Sequence, residues 1–144
     1  MEKVVRLTNI PAGKKVSFST AFPPDMPDLT ADPVHVANVL SNLIENAIKY
    51  SGEEVNIEIV VLWNQQGMGL TVSDNGFGIA PDERRKVFEK FYRSSHLLDK
   101  QIPGIGLGLS YVRQIVEAHH GSVSLRSELG EGTRITINLP TAAL

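Results

Sequence analysis

The segment from Asp32 to Gly52 constrains the fold more than any other part of the chain. Val36, Val39, Leu40, Leu43, Ile44, Ala47 and Ile48 recur at helical spacing over three turns, so they form the apolar face of an amphipathic helix. Asp32-Pro33 provides an acidic N-cap followed by proline at the first helical position, and Ser51-Gly52 provides a stop. A face this wide must be buried against a second layer. The same helix carries another stripe. Within NLIENAIKYS, residues 42–51, the side chains of Asn42, Glu45, Asn46 and Lys49 follow at steps of three, one and three, which places them together on one flank. Such a stripe is ordinarily a solvated face. Asparagine is a poor helix former, however, and a merely solvated face favours Glu, Lys or Gln. An amide oxygen is a hard, neutral ligand that suits Mg²⁺ when anionic oxygens come from a substrate's phosphates.

The second layer is legible as alternating segments. Lys15 to Phe22 places Val16, Phe18, Thr20 and Phe22 on one side, and residues 54–63, 69–73, 122–127 and 133–139 also read as strands. Turns at 64–67 and 130–132 join two pairs as hairpins. Residues 2–10 form a weakly amphipathic segment broken by Pro11-Ala12-Gly13, Pro81 opens a short charged helix to about Phe91, and Leu107 to His119 form a helix ended by Gly121. The order predicts an α+β two-layer sandwich. About three helices cover one face of a mixed, mainly antiparallel sheet of about five strands.

The 144 residues fit one domain spanning 1–144, and 42% hydrophobic content is enough for a core. A formal charge of −2 offers no basic field for nucleic acid. Absence of cysteine excludes disulfides, thiolate metal sites and cysteine nucleophiles. No apolar run approaches a membrane span or a signal peptide. A cytosolic domain is expected, or the cytosolic fragment of a larger protein.

Three further motifs carry chemistry. DNGFGI, residues 74–79, ends an apolar strand with Asp74, a carboxylate able to accept from an amino group; Gly76 and Gly78 let a flat ligand approach the backbone. GIGLGL, residues 104–109, opens a helix with alternate glycines, whose N–H groups suit a phosphate. It is neither a dinucleotide fingerprint nor a Walker loop. FEKFYR, residues 88–93, holds two phenylalanines that suit core anchoring and an arginine at the mouth of the polar stretch 93–104, which has the composition of a lid.

In this order and spacing, the motifs resemble the ATP-binding catalytic domain of bacterial sensor histidine kinases, a branch of the superfamily shared with gyrase, mismatch-repair ATPases and ATP-driven chaperones. The likeness runs from about residue 14 to residue 140: an N box (NLIENAIKYS), a G1 box (DNGFGI), an F box (FEKFYR), a G2 box (GIGLGL) and the glycine turn GEGT at 130–133. Lys49-Tyr50 and the F box point to the kinase branch. The resemblance implies the Bergerat ATP-binding fold, with ATP and Mg²⁺ as cofactors and residues 93–105 as an ATP lid. It makes Asn46 the Mg²⁺ ligand, with Asn42 at the phosphate end and Glu45 near the γ-phosphate. Lys49 and Arg93 would contact phosphate, and Tyr50 would cover the adenine face. Asp74 would accept the adenine amino hydrogen in a pocket shaped by Gly76, Gly78 and Ile79. Gly104, Ile105, Gly106, Leu107, Gly108 and Leu109 would flank the triphosphate or the lid hinge, Phe91 would border the pocket, and Thr133 would support it from the sheet. Glu45, Lys49 and Arg93 are the implied catalytic residues.

The resemblance further implies transfer of the γ-phosphate to a histidine on a separate dimerisation and phosphoacceptor domain, with a response regulator reached through that domain. None of the four histidines has an H-E-x-x-x-P-like setting. The isolated chain is therefore expected to be a monomer that binds ATP or ADP without autophosphorylating. The parent protein would be anchored in the inner membrane, with no membrane contact by this part. Ile105 stands where the family often has Thr, and His120-Gly121-Ser122 replaces the more usual His-Gly-Gly. Two other readings stand beside this one: a pseudokinase or interaction domain that keeps the fold without turnover, and an anti-sigma-type serine kinase of the same superfamily.

Overall fold

The computed structural model describes residues 10–23, 33–89 and 108–140. Its elements are β1 (Lys15–Ala21), α1 (Pro33–Lys49), β2 (Glu54–Asn64), β3 (Gly67–Asp74), α2 (Gly108–Ala118), β4 (Ser122–Glu128) and β5 (Gly132–Pro140). The five strands form one sheet in the order β1-β2-β3-β5-β4. β1 runs parallel to β2, and the other neighbours are antiparallel. The parallel step reflects chain path: α1 lies between β1 and β2 and returns the chain to the same end of the sheet.

Side-chain alternation makes the sheet two-faced. Val55, Ile57, Ile59 and Val61 of β2, Met68, Leu70 and Val72 of β3, and Ile135, Ile137 and Leu139 of β5 are buried on the inner face. Asn56, Glu58, Arg134 and Asn138 on the opposite face are exposed. The apolar stripe of α1 closes the inner layer: Leu40 and Ile44 are 0% exposed, with Leu43, Ala47 and Ile48 beside them. Each such leucine or isoleucine side chain contributes about 1.5–3 kcal/mol on burial. Val112 and Val116 of α2 join the same cluster, and Leu109 and Ile115 pack partly buried against it.

Helix ends are satisfied locally. Ser51 Oγ donates to the Ala47 carbonyl at the end of α1, while Lys14 Nζ reaches from before β1 to the carbonyls of Ile48 and, at 2.9 Å, Ser51. Burial lowers the pKa of Lys14. α2 ends on His120, at φ 59°, and Gly121 N–H returns to the Val116 carbonyl at 2.9 Å, so the left-handed cap residue is the histidine just before the expected glycine.

The expected helix from Pro81 is instead two short 3-10 turns, Pro81–Glu83 and Lys86–Phe88. Both are tied inward. Glu83 and Phe88 are buried, and Arg84 donates through its guanidinium to the Ser127 carbonyl. These anchors fix a tighter path than a continuous helix would follow. Two α-helices thus cover the sheet among the described residues. Of the expected short segment at 2–10, all but Ile10 lies outside them.

Candidate functional site

The polar stripe of α1 lies against the first residue of α2. A Cβ added to Gly108 would sit 3.3 Å from both Nδ2 and Oδ1 of Asn46 and 3.4 Å from Oδ1 of Asn42. The absence of a side chain therefore lets the amino end of α2 approach two amides. N–H groups in the first turn of a helix have no intrahelical acceptor and carry partial positive charge. Asn42 Nδ2 donates to the Asn38 carbonyl at 2.8 Å, which fixes its rotamer. The Asn46 amide is half-buried and makes no hydrogen bond to another described residue. Glu45 is exposed one residue earlier, and Ser41 Oγ lies 3.4 Å from its Oε1. Lys49 closes the helix.

This arrangement fits a divalent cation delivered with phosphates. Among the described residues no group of three or more His, Cys, Asp or Glu gathers to hold a metal. A hard cation at Asn46 would take one neutral amide oxygen from the chain and most of its other ligands from phosphate and water, as Mg²⁺ does.

The carboxyl end of α1 borders a second cluster. Asp74 ends β3 on the inner face, where burial raises its pKa to about 6, opposed by the backbone N–H groups of Gly76 and Thr133. Gly76 N–H lies 2.8 Å from Asp74 Oδ1. A Cβ on Gly76 would fall 2.4 Å from the Tyr50 carbonyl oxygen and 2.7 Å from Ser51 Oγ, so only glycine lets the loop lie on the helix end. Phe77 N–H then donates to the Tyr50 carbonyl at 2.8 Å, and Gly130 N–H donates to the Phe77 carbonyl at 2.8 Å. Gly78, at φ +76°, passes beneath Glu128. The loop after Asp74 is clamped between α1 and the β4–β5 turn.

Asp74 pairs with Thr133 across β3–β5, and Thr133 pairs with Ser127 across β5–β4. The three form a polar row on the inner face, at the end of the sheet where the apolar rows stop. Ile79 N–H donates to Ser127 Oγ at 2.7 Å. Asn42, Asn46, Gly108 and the Asp74 cluster thus border one helix, with amides and helix-end N–H groups towards its middle and a half-buried carboxylate at its carboxyl end. Such a surface can offer amides and partly positive helix-end N–H groups to an anion and an acceptor to an amino group.

The structure brings Asn42, Asn46 and Gly108 into one group and Tyr50, Asp74, Gly76, Gly78, Ile79 and Thr133 into another. Leu109 lies partly buried against the core. Phe91, Arg93, Gly104, Ile105, Gly106 and Leu107, with the 93–105 segment, lie outside the described residues. Lys14, Arg84 and Ser127 escaped the sequence reading. Ser127 alone left a trace, being the polar member of the inward set Val123, Leu125, Ser127.

A family model described as histidine kinase-, DNA gyrase B-, and HSP90-like ATPase matches residues 31–143. The sensor protein RprX of Bacteroides fragilis is 42% identical over 118 residues, covering 79% of this chain and 22% of its own length. The chain thus spans about a fifth of that curated relative. Among solved structures, the mycobacterial sensor histidine kinase MprB superposes with a TM-score of 0.77 at 29% identity, covering 96% of this chain and 89% of that one. Full-length ShkA, solved in complex with AMPPNP, gives a TM-score of 0.80 at 27% identity, covering 99% of this chain and 30% of that one.

Proposed function

Because the chain belongs to the family of histidine kinase-, DNA gyrase B- and HSP90-like ATPases, we propose that it is the ATP-binding catalytic domain of a sensor histidine kinase in two-component signalling. It binds Mg²⁺-ATP and donates the γ-phosphate to a histidine on a separate dimerisation and phosphoacceptor domain of a longer parent protein. The observation that carries this reading is the contact of Gly108 with Asn42 and Asn46 on the same helix whose end meets the Asp74 cluster. It joins an anion-binding helix start, a hard amide ligand and an amino-selective carboxylate at one element.

In this reading Asn46 holds the cation, which lowers the charge on the triphosphate oxygens when bound. Asn42, Lys49 and the amino end of α2 seat the phosphates, and Arg93 meets the γ-phosphate. Asp74 accepts from the 6-amino group of adenine, Tyr50 covers the ring, and Gly76, Gly78, Ile79 and Thr133 shape the pocket. Phe91 borders it, and Gly104, Ile105, Gly106, Leu107 and Leu109 belong to the lid and its hinge. Phosphoryl transfer asks the protein mainly to position the donor and offset charge. Glu45, exposed beside Asn46, orients the incoming imidazole. No helix among the described residues is long and apolar enough to cross a membrane; the domain acts in the cytoplasm, apart from any anchor of its parent.

The test is transfer of labelled γ-phosphate to a supplied histidine domain. The wild-type chain yields acid-labile phosphohistidine. Glu45→Gln retains ATP binding and slows transfer at least tenfold. ATP binding with no transfer to any histidine domain of the parent would favour the pseudokinase reading, and phosphoserine as product would favour the serine-kinase reading.

A further inference from the structure

We infer that Ser127 is a positioning residue that sets the hydrogen-bond polarity of the pocket, making it select a 6-amino over a 6-oxo purine. The inference rests on the ATP-binding reading of the Asp74 cluster. Ser127 is 6% exposed, and its hydroxyl meets three partners: Ile79 N–H at 2.7 Å, the Gly132 carbonyl at 2.9 Å and Thr133 Oγ1 at 2.8 Å. A serine hydroxyl has one proton and two lone pairs. Ile79 N–H takes one lone pair. The Gly132 carbonyl can only accept, so the 2.9 Å contact with it takes the Ser127 proton. The remaining lone pair must then receive the Thr133 proton.

The consequence reaches the ligand side. With its proton committed to Ser127, the Thr133 hydroxyl keeps only lone pairs for an occupant. Thr133 and Asp74 are register partners on the same face, and the backbone N–H of Thr133 also holds the Asp74 carboxylate. An occupant therefore meets two acceptors side by side and no donor from either side chain. A 6-amino group supplies protons to such an edge. A 6-carbonyl places a third acceptor against it. Ser127 touches no part of the nucleotide; it acts through Thr133 and through the Ile79 N–H that closes the loop.

The test is calorimetric binding of ATP and inosine triphosphate, with Mg²⁺, to wild type, Ser127→Ala, Thr133→Val and the double variant. Melting of each nucleotide-free protein establishes folding. Loss of Ser127 lets the Thr133 proton swing outward, so the ATP-to-inosine preference falls about three- to tenfold. Thr133→Val produces a similar loss, and the double variant adds little, because both changes act on one hydrogen bond. Ser127→Thr, which keeps the hydroxyl, restores much of the preference. A preference unchanged in folded Ser127→Ala, or losses that add in the double variant, would overturn the inference. Should Ser127→Ala not fold, the Ser127→Thr and Thr133→Val ratios decide: a preference unchanged in Thr133→Val overturns it equally. Failure of the wild type to bind ATP would instead remove the underlying site reading.

Discussion

Replacing Asp74 with asparagine pulls stability and binding in opposite directions. Burial raises the Asp74 pKa from 3.8 to about 6, so the folded state resists ionising this group by about 3 kcal/mol. The sign follows from linkage. Between these two values the folded protein holds a proton that the unfolded chain has released, so stability falls as pH rises from 3.8 towards about 6 and stays low above it. Asparagine carries no charge at any pH. Its one amide oxygen still accepts from Gly76 N–H, but with one acceptor oxygen where the carboxylate has two, a bond from Gly76 or Thr133 is weakened, a loss of about 1 kcal/mol. At about pH 8 the nucleotide-free variant should therefore be about 2 kcal/mol more stable than wild type, a rise in melting temperature of about 4–8 °C. The advantage should shrink as pH falls from about 6 towards 3.8, below which wild-type Asp74 is protonated in both states. ATP affinity should move the other way. A charge-assisted bond worth about 1.5–3 kcal/mol is lost, which weakens binding by about tenfold to 150-fold. Wild-type affinity should itself decline as pH falls through about 6, and the variant's should not. Differential scanning calorimetry and titration calorimetry across pH read both effects. A variant that melts lower than wild type at high pH and binds ATP equally well would show that the Asp74 charge neither strains the folded state nor holds the nucleotide.

Further predictions concern the framework. Leu40→Ala removes a side chain that is 0% exposed and should cost about 2–5 kcal/mol, measured by urea unfolding. Gly78→Ala places a Cβ 2.0 Å from the Glu128 carbonyl at φ +76°; the loop must shift, and ATP binding should fall below detection in calorimetry even where circular dichroism shows a folded chain. Lys14→Met strips a cation from the carbonyls of Ile48 and Ser51 and should lower stability by about 1–3 kcal/mol in the same urea assay. Asn46→Ala should leave the melting temperature of the free protein within about 2 °C, since its amide is tied to no described residue, while removing the Mg²⁺ dependence of ATP binding.

Much of the fold was written in periodicity. α1 was legible because seven apolar residues kept helical spacing between a proline start and a glycine stop. Strands β2 to β5 were legible because each alternates and is bounded by turn residues. The segment after Pro81 was not, since its path depends on distant partners: Arg84 reaches Ser127, and Phe88 and Glu83 are buried by tertiary packing. The same holds for the site. Asn42, Asn46, Asp74 and the glycines announce themselves as polar or glycine residues in unusual places. Ser127 looks like any strand serine until register sets it beside Thr133, and Lys14 looks like a surface lysine until the turn at Gly13 aims it at the end of α1.

The most direct measurement is a thermal shift of the wild-type chain with the Mg²⁺ complexes of a non-hydrolysable ATP analogue, ADP and GTP, repeated on Asp74→Asn and Asn46→Ala. A ligand at about 100 times its dissociation constant adds about 2.7 kcal/mol to stability, a clear rise in melting temperature. A rise is expected with both adenine nucleotides and little with GTP, reduced by Asp74→Asn and made insensitive to Mg²⁺ by Asn46→Ala. No shift with any nucleotide at about millimolar concentration, or equal shifts with ATP analogue and GTP, would contradict that expectation.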